Sequence, residues 1–316
     1  MVSILPKGRI ARSEAKWFYF FVAPWILGFI FFTGGPILGS LFISFTKFDA
    51  ANPPQWIGLD NYTRLFQDDL FYKSLEVTAL YTLLAVPLGI LLALALAVVL
   101  NQNVPFLGFF RTIYYIPSLI SGGIAVALLF QFLLNPSFGI VNYVIAKLVG
   151  INGLIPLGIK GPGWFFDPKT TVISFVVLSL WGFGSSMIVY LAALQGVPTA
   201  LYEAATIDGA NGWQKFRNVT LPMISPVILF TFVTGVIASF QIFAPAYIIT
   251  GRTGKPANAG LFYVLYLFLN AFSRFRFGYA AAQAWILLII ILVLTYFMLR
   301  ASRSMVHYES NDDKNL

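Results

Sequence analysis

The chain has 316 residues, of which 59% are hydrophobic and only 10% charged, where an ordinary globular protein carries about 25% charged residues. With a mean hydropathy of +0.81, this composition excludes a water-soluble domain and marks an integral membrane protein whose apolar surface faces lipid. The net charge of +8 does not indicate nucleic-acid binding, because the basic residues are scattered through loops with no stripe of them interleaved with aromatics; they suit anionic headgroups instead.

Residues 1–16 carry Lys7, Arg9, Arg12 and Lys16 against Glu14, a basic N-terminal segment. Residues 17–46 are then uncharged, too long for the core of a signal peptide and without a small-residue cleavage pattern, so 18–45 is expected to be a retained first span with its basic end inside. The following loop holds Asp49, Asp60, Asp68, Asp69 and Glu76 against Lys47, Arg64 and Lys73, compatible with the outer face. The second span is expected at 77–100 and the third at 112–134, joined by a tight cytoplasmic turn. Residues 140–149 read as a short interfacial helix and 151–168 as an irregular outer loop rich in glycine and proline. A fourth span follows at 170–194, a fifth at 223–249 and a sixth at 277–299. Each supplies the roughly 20 apolar residues a bilayer crossing needs. Residues 261–272 are apolar but too short to cross, so they are expected to be re-entrant or to lie on the surface. The tail, 304–316, is polar and expected to be disordered.

Six spans put both termini on one side, together with the loop between the fourth and fifth spans. Lys7, Arg9, Arg12, Lys16, Arg111, Lys215, Arg217, Arg300, Arg303 and Lys314 then lie inside, half of the 20 basic residues. The positive-inside rule is therefore balanced overall and leans inward only through the first span.

That inner loop, 196–222, is a polar island. No charge occurs in residues 170–202 or 218–251, yet Glu203, Asp208, Lys215 and Arg217 fall in the gap. At about 2.5–3.5 kcal/mol per charge, burying four in the bilayer centre would cost on the order of 10 kcal/mol, so the island sits outside the hydrocarbon. Pro198 suits a first helical turn and residues 200–207 are mostly good helix formers. Asp208-Gly209 reads as a stop, and a second short helix over 212–219 is expected to end before Pro222. Two short helices between two spans make a rigid knob.

The pattern Glu203-Ala204-Ala205, Asp208-Gly209-Ala210, Phe216 and Leu221-Pro222 resembles the EAA loop of permease subunits in bacterial ABC importers. Further matches are Ala23-Pro24, Pro36, Gly58-Leu59-Asp60-Asn61-Tyr62, Arg111-Thr112, Pro256-Ala257-Asn258 and Phe277-Gly278-Tyr279-Ala280. Together they are most similar to the carbohydrate importers of the maltose and glycerol-phosphate type, and the likeness covers nearly the whole chain. It implies an all-α fold, the six-helix permease of type I ABC importers, occupying 17–303 and sitting in the bacterial inner membrane with both termini cytoplasmic. It also implies partners: a second, homologous permease subunit, a dimeric cytoplasmic ATPase that uses the ATP and Mg, and an extracytoplasmic solute-binding protein. By the same resemblance Glu203 offers a charge to the ATPase, Ala204 and Ala205 keep the docking helix slim, and Gly209 makes the bend.

The residues themselves point away from an enzyme. The one histidine, His307, lies in the tail, cysteine is absent, and no Gly-rich phosphate loop ending in Lys-Ser/Thr occurs, so energy has to arrive from another protein and no cofactor is expected on this chain. The spans carry no acidic residue to relay protons. A solute path needs inward-facing polar and aromatic groups, and the candidates are Trp181, Gly182 and Ser185 on the fourth span and Gly235, Ser239, Phe240 and Gln241 on the fifth. Close helix packing is the competing role for the glycines and serines. A permease for a non-sugar solute, or a membrane facilitator or enzyme working alone, are the rival readings.

Overall fold

The computed structural model describes residues 9–102, 105–120, 123–148 and 162–302. Most of the expected outer loop at 151–168 and the whole of the expected tail lie outside the described residues. Five helices among those described are long and apolar enough to cross a membrane: Glu14–Ser44, Asp69–Leu100, Thr171–Gln195, Gly212–Ile249 and Phe277–Ser302. The expected third span differs. It is two helices, α5 (Leu107–Leu119) and α6 (Ile124–Leu133), bent by 104° at the break between them.

The chain divides into two compact units, one running to Gln67 and including Asn270–Ile286, the other made of Asp68–Leu269 and the chain from Leu287 onward. In the first unit, α1 (Arg9–Phe29) passes through a wide π turn, Ile30–Gly34, into α2 (Gly35–Ser44), where Pro36 sits in the first turn and needs no N–H partner. Most of this span is uncovered by the described residues: Phe21 is 73% and Phe32 85% exposed, as expected of a helix whose solvent is lipid. A two-residue antiparallel pair, β1 (Thr46–Lys47) with β2 (Gln55–Trp56), and the short helix α3 (Asp60–Leu65) follow.

Two of the sequence motifs meet here. The buried Asn61 side chain donates to the carbonyls of Ser44 (2.8 Å) and Thr46 (2.9 Å), satisfying backbone groups at the end of α2. Gly278, near the start of α15 (Phe277–Ser302), comes so close to the Thr46 carbonyl and the Asn61 amide that a Cβ would collide with both. Beside it, the fully buried Asn270 donates to Gln283 (3.0 Å) and accepts from Arg274 (2.9 Å). In the exposed hairpin loop, Asp49 accepts from the backbone and side chain of Asn52, and these bonds hold its carboxyl below the ordinary range.

The second unit is built around α4 (Asp69–Leu100), capped by Asp68, whose carboxylate accepts from the Leu70 N–H (2.9 Å). Among its buried positions, 71, 74, 78, 81, 85, 93, 97 and 100 recur at three- and four-residue steps or their multiples, one face of a helix that 77, 82, 86 and 94 widen. Against it pack α8 (Thr171–Ser179), α9 (Phe183–Gln195), α12 (Leu221–Phe240) and α14 (Tyr263–Phe268). One apolar cluster gathers Tyr81, Phe130, Phe175, Phe262 and Leu265; another gathers Leu94, Leu100, Met187, Tyr190, Leu194 and Ile224. The remaining helices of the unit are α7 (Ile140–Leu148), where the short helix was expected, and α10 (Thr199–Ile207), α11 (Gly212–Lys215) and α13 (Ala244–Ile249).

Two expectations change. Helix α14 does not lie on the surface: Phe262, Tyr263 and Leu265 have no exposed area, and the Tyr263 N–H donates to Thr78 on α4 (2.9 Å). Its shortness rules out a crossing, but an apolar segment can also be buried inside the protein, and this one is. The second helix of the polar island does not stop before Pro222 either. From α11 the helical backbone continues through a π turn, Phe216–Thr220, into α12, with Pro222 directly after the turn, where the changed bonding pattern accommodates its missing N–H.

Candidate functional site: a membrane cavity and an exposed two-helix knob

Both features belong to the second unit. The fourth span is interrupted by a 3₁₀ turn, Leu180–Gly182, between α8 and α9, and the fifth by a break at residues 241–243 between α12 and α13. Breaks of this kind face a cavity, because irregular backbone is not tolerated against lipid. The two breaks, with Tyr81 and Gly89 of α4, line a cavity of about 600 Å³.

Of the residues expected on the solute path, Trp181, Gly182, Gly235, Ser239 and Gln241 line this cavity. Ser185 and Phe240 do not: Ser185 is exposed on the outside of α9, and Phe240 is 5% exposed. Ser186 takes the place of Ser185, and Tyr81, Ser179 and Thr231 also contribute. The spacing of Ser179, Gly182 and Ser186, like that of Thr231, Gly235 and Ser239, is three or four residues, and that helical period is the signal that identifies the missing members.

Several hydroxyls are engaged within the protein. Ser239 bonds Thr82 (2.9 Å), Thr82 donates to the Thr78 carbonyl (2.8 Å), and Thr78 donates to the Ser74 carbonyl (2.7 Å), a polar ladder along α4. Thr231 is bonded to the Tyr190 hydroxyl. The Trp181 indole N–H, by contrast, is buried with no hydrogen-bond partner, while its ring meets Phe130 edge-on at 5.7 Å. An unsatisfied buried donor costs about 1–3 kcal/mol, and because this nitrogen has no exposed surface, an acceptor in the cavity reaches it only after the ring turns. The lining offers the Trp181 ring, the Gln241 amide, hydroxyls and other aromatic faces, a set matched to a polyhydroxylated solute.

The knob is formed by α10 and α11. Pro198 caps α10 in an extended conformation, and the helix ends in a Schellman closure. Gly209 adopts φ +76°, its N–H donates to the Thr206 carbonyl (3.0 Å), and the Ala210 N–H donates to the Ala205 carbonyl (2.9 Å). Asn211 and Gln214 then form a reciprocal capping box that starts α11. Glu203, Ala204 and Asp208 are exposed, Ala205 and Ala210 half-buried. Phe216 lies in the π turn, its ring 5.7 Å from that of Trp213 and tilted by 32° to it, and Leu221 and Pro222 open α12. Two large apolar side chains stand in the open beside these charges, Ile207 at 88% and Trp213 at 67% exposure.

Residues 74–306 match the model of the family described as binding-protein-dependent transport system inner membrane component. The chain is 40% identical over 310 residues to a probable ABC transporter permease protein, YesP, of Bacillus subtilis strain 168, covering 98% of this chain and 97% of the relative. It is 35% identical over 304 residues to the lactose transport system permease protein LacF of Rhizobium radiobacter, covering 93% and 98%. Among solved structures, a chain of a bacterial alginate ABC transporter in complex with an alginate pentasaccharide-bound periplasmic protein aligns over 93% of this chain and 96% of its own, with a TM-score of 0.78 and 25% identity.

Proposed function

From the premise that the chain belongs to the family of binding-protein-dependent transport system inner membrane components, we propose that it is one permease half of an ATP-driven importer for a sugar, oligosaccharide or polyol. A second permease subunit completes the path, a cytoplasmic ATPase dimer that uses ATP and Mg drives it, and a solute-binding protein delivers from outside. The carbohydrate class is supported by the lactose permease among the relatives and the alginate transporter among the structures, and by the hydroxyl, amide and aromatic lining of the cavity.

The observation that carries the proposal is the knob: a stiff, exposed pair of helices, bearing Glu203 beside Ile207 and Trp213, joined to the two spans whose breaks line the cavity. Isolated in water, two large exposed apolar groups on so small an element would be an aggregation hazard; covered by a partner protein they become anchors. Closure of the ATPase dimer moves the knobs of the two permeases together, and the cavity passes from inward to outward access. The coupling surface is Glu203 to Ala210, and Trp181, Gln241 and Ser186 are the groups that meet the solute.

The test is Glu203→Lys in the fully assembled transporter. Membrane insertion and subunit assembly remain as in the unmodified protein, ATP hydrolysis continues, and uptake falls to background. Normal uptake in that variant removes the role given to the knob.

A further inference from the structure

The knob is fixed to its two spans in different ways. Toward the fourth span the connection is non-helical: α9 ends at Gln195, Gly196 caps it, and Pro198 is extended at φ −57°, ψ 129°. Toward the fifth span the helix never stops, since α11, the π turn and α12 form one backbone from Gly212 to Phe240. At about 1.5 Å per residue it reaches roughly 40 Å, and its far end bears Gly235 and Ser239 and adjoins the break at 241–243, all on the cavity wall. A load on α10 therefore reaches the cavity through α12 only as far as α10 is strapped to that helix.

Apart from the backbone turn at Gly209, two side-chain bonds make the strap. Lys215 Nζ donates to Thr206 Oγ1 at 2.8 Å, at the exposed end of the knob. The hydroxyls of Tyr202 and Thr220 are bonded at 3.0 Å near the membrane end, where Thr220 is 6% exposed and Tyr202 packs against the apolar cluster that holds Leu100, Leu194 and Val197. Thr220 closes the π turn, and its hydroxyl also reaches the Lys215 carbonyl at 3.5 Å. A π turn holds one residue more than its α counterpart, so slippage to α geometry would rotate the helix beyond it by about 100° relative to the knob.

We propose that Tyr202 and Thr220 are positioning residues that hold the π turn in register, making the fifth span the shaft through which the knob drives the cavity, while residues 196–198 act as the hinge. This rests on the coupling role proposed above for the knob.

The experiment compares Tyr202→Phe, Thr220→Val and the double variant in the complete transporter, reconstituted with its partner permease, ATPase and binding protein. The quantity read is solute moved per ATP hydrolysed. Each single variant lowers that ratio about fivefold, the effect of one hydrogen bond, with the thermal midpoint of the assembled complex unchanged. The double variant loses no more than either single, because the two hydroxyls act as one bond. Thr206→Glu, which places a carboxylate against Lys215 and tightens the other strap, restores the ratio in the Tyr202→Phe background. An unaltered ratio in both singles overturns the proposal, as do losses that multiply in the double variant. If Glu203→Lys leaves uptake normal, the coupling role itself has failed; if Glu203→Lys uncouples and Tyr202→Phe does not, only the strap has failed.

Discussion

Trp181 shows how one side chain acquires a role from its surroundings. In the sequence it is an aromatic next to glycine, and the rings of this chain mostly face lipid or one another. In the structure the residue lines the cavity, and its N–H is buried just behind that surface without a hydrogen-bond partner among the described residues. Trp181→Phe keeps the ring and deletes the donor. The expected result is a KM for uptake raised between about threefold and tenfold, the range of a net hydrogen bond, with maximal rate unchanged. Uptake kinetics in proteoliposomes read this directly, and an unchanged KM would mean the indole meets no solute. The neighbouring serines carry the opposite lesson: Ser185 and Ser186 are chemically identical, but a helix turns about 100° per residue, so one is exposed and the other lines the cavity.

Among the elements, the knob was the most legible. Pro198, the alanine-rich run and Gly209 delimit α10 from the sequence alone, because left-handed closure at φ +76° is costly to most residues other than glycine and asparagine. Gly209→Val forces a β-branched side chain into that conformation at a cost of roughly 1–2 kcal/mol. It is expected to reduce ATP-driven uptake several-fold without changing the amount of protein in the membrane, whereas Gly209→Asn, which tolerates the left-handed region, should retain most activity. Equal loss in both would assign the defect to something other than backbone conformation. The start of α12 was not legible, since Pro222 reads as a breaker when the turn before it is unknown. The π turn carries the helix past that proline, and such a turn has no compositional signature.

At the scale of the whole molecule, orientation is where sequence evidence is most evenly divided, with ten basic residues assigned to each side. The absence of cysteine makes a direct measurement simple, because every introduced thiol is the only one. Ile207→Cys on the knob and Phe275→Cys, exposed between the fifth and sixth spans, are expected on opposite faces. A membrane-impermeant maleimide added outside intact cells should label position 275 and spare 207 until the cells are opened. Labelling of 207 from outside would invert the topology and end the coupling role.

Composition and charge spacing alone settled that this chain lives in a bilayer, where its long apolar segments run, and that a polar loop near residues 196–222 stays in water. These are consequences of transfer energies summed over many residues, which do not depend on how the helices pack. Tertiary packing decided the rest. It buried α14 against α4 although its length and hydropathy resemble a surface helix, and turned one serine of a pair toward the cavity. It also carried α11 unbroken into α12. Each of these depends on contacts between residues far apart in the chain, or on the register of a single turn, and apart from the helical spacing that points to Ser186 neither leaves a local trace in the order of the amino acids.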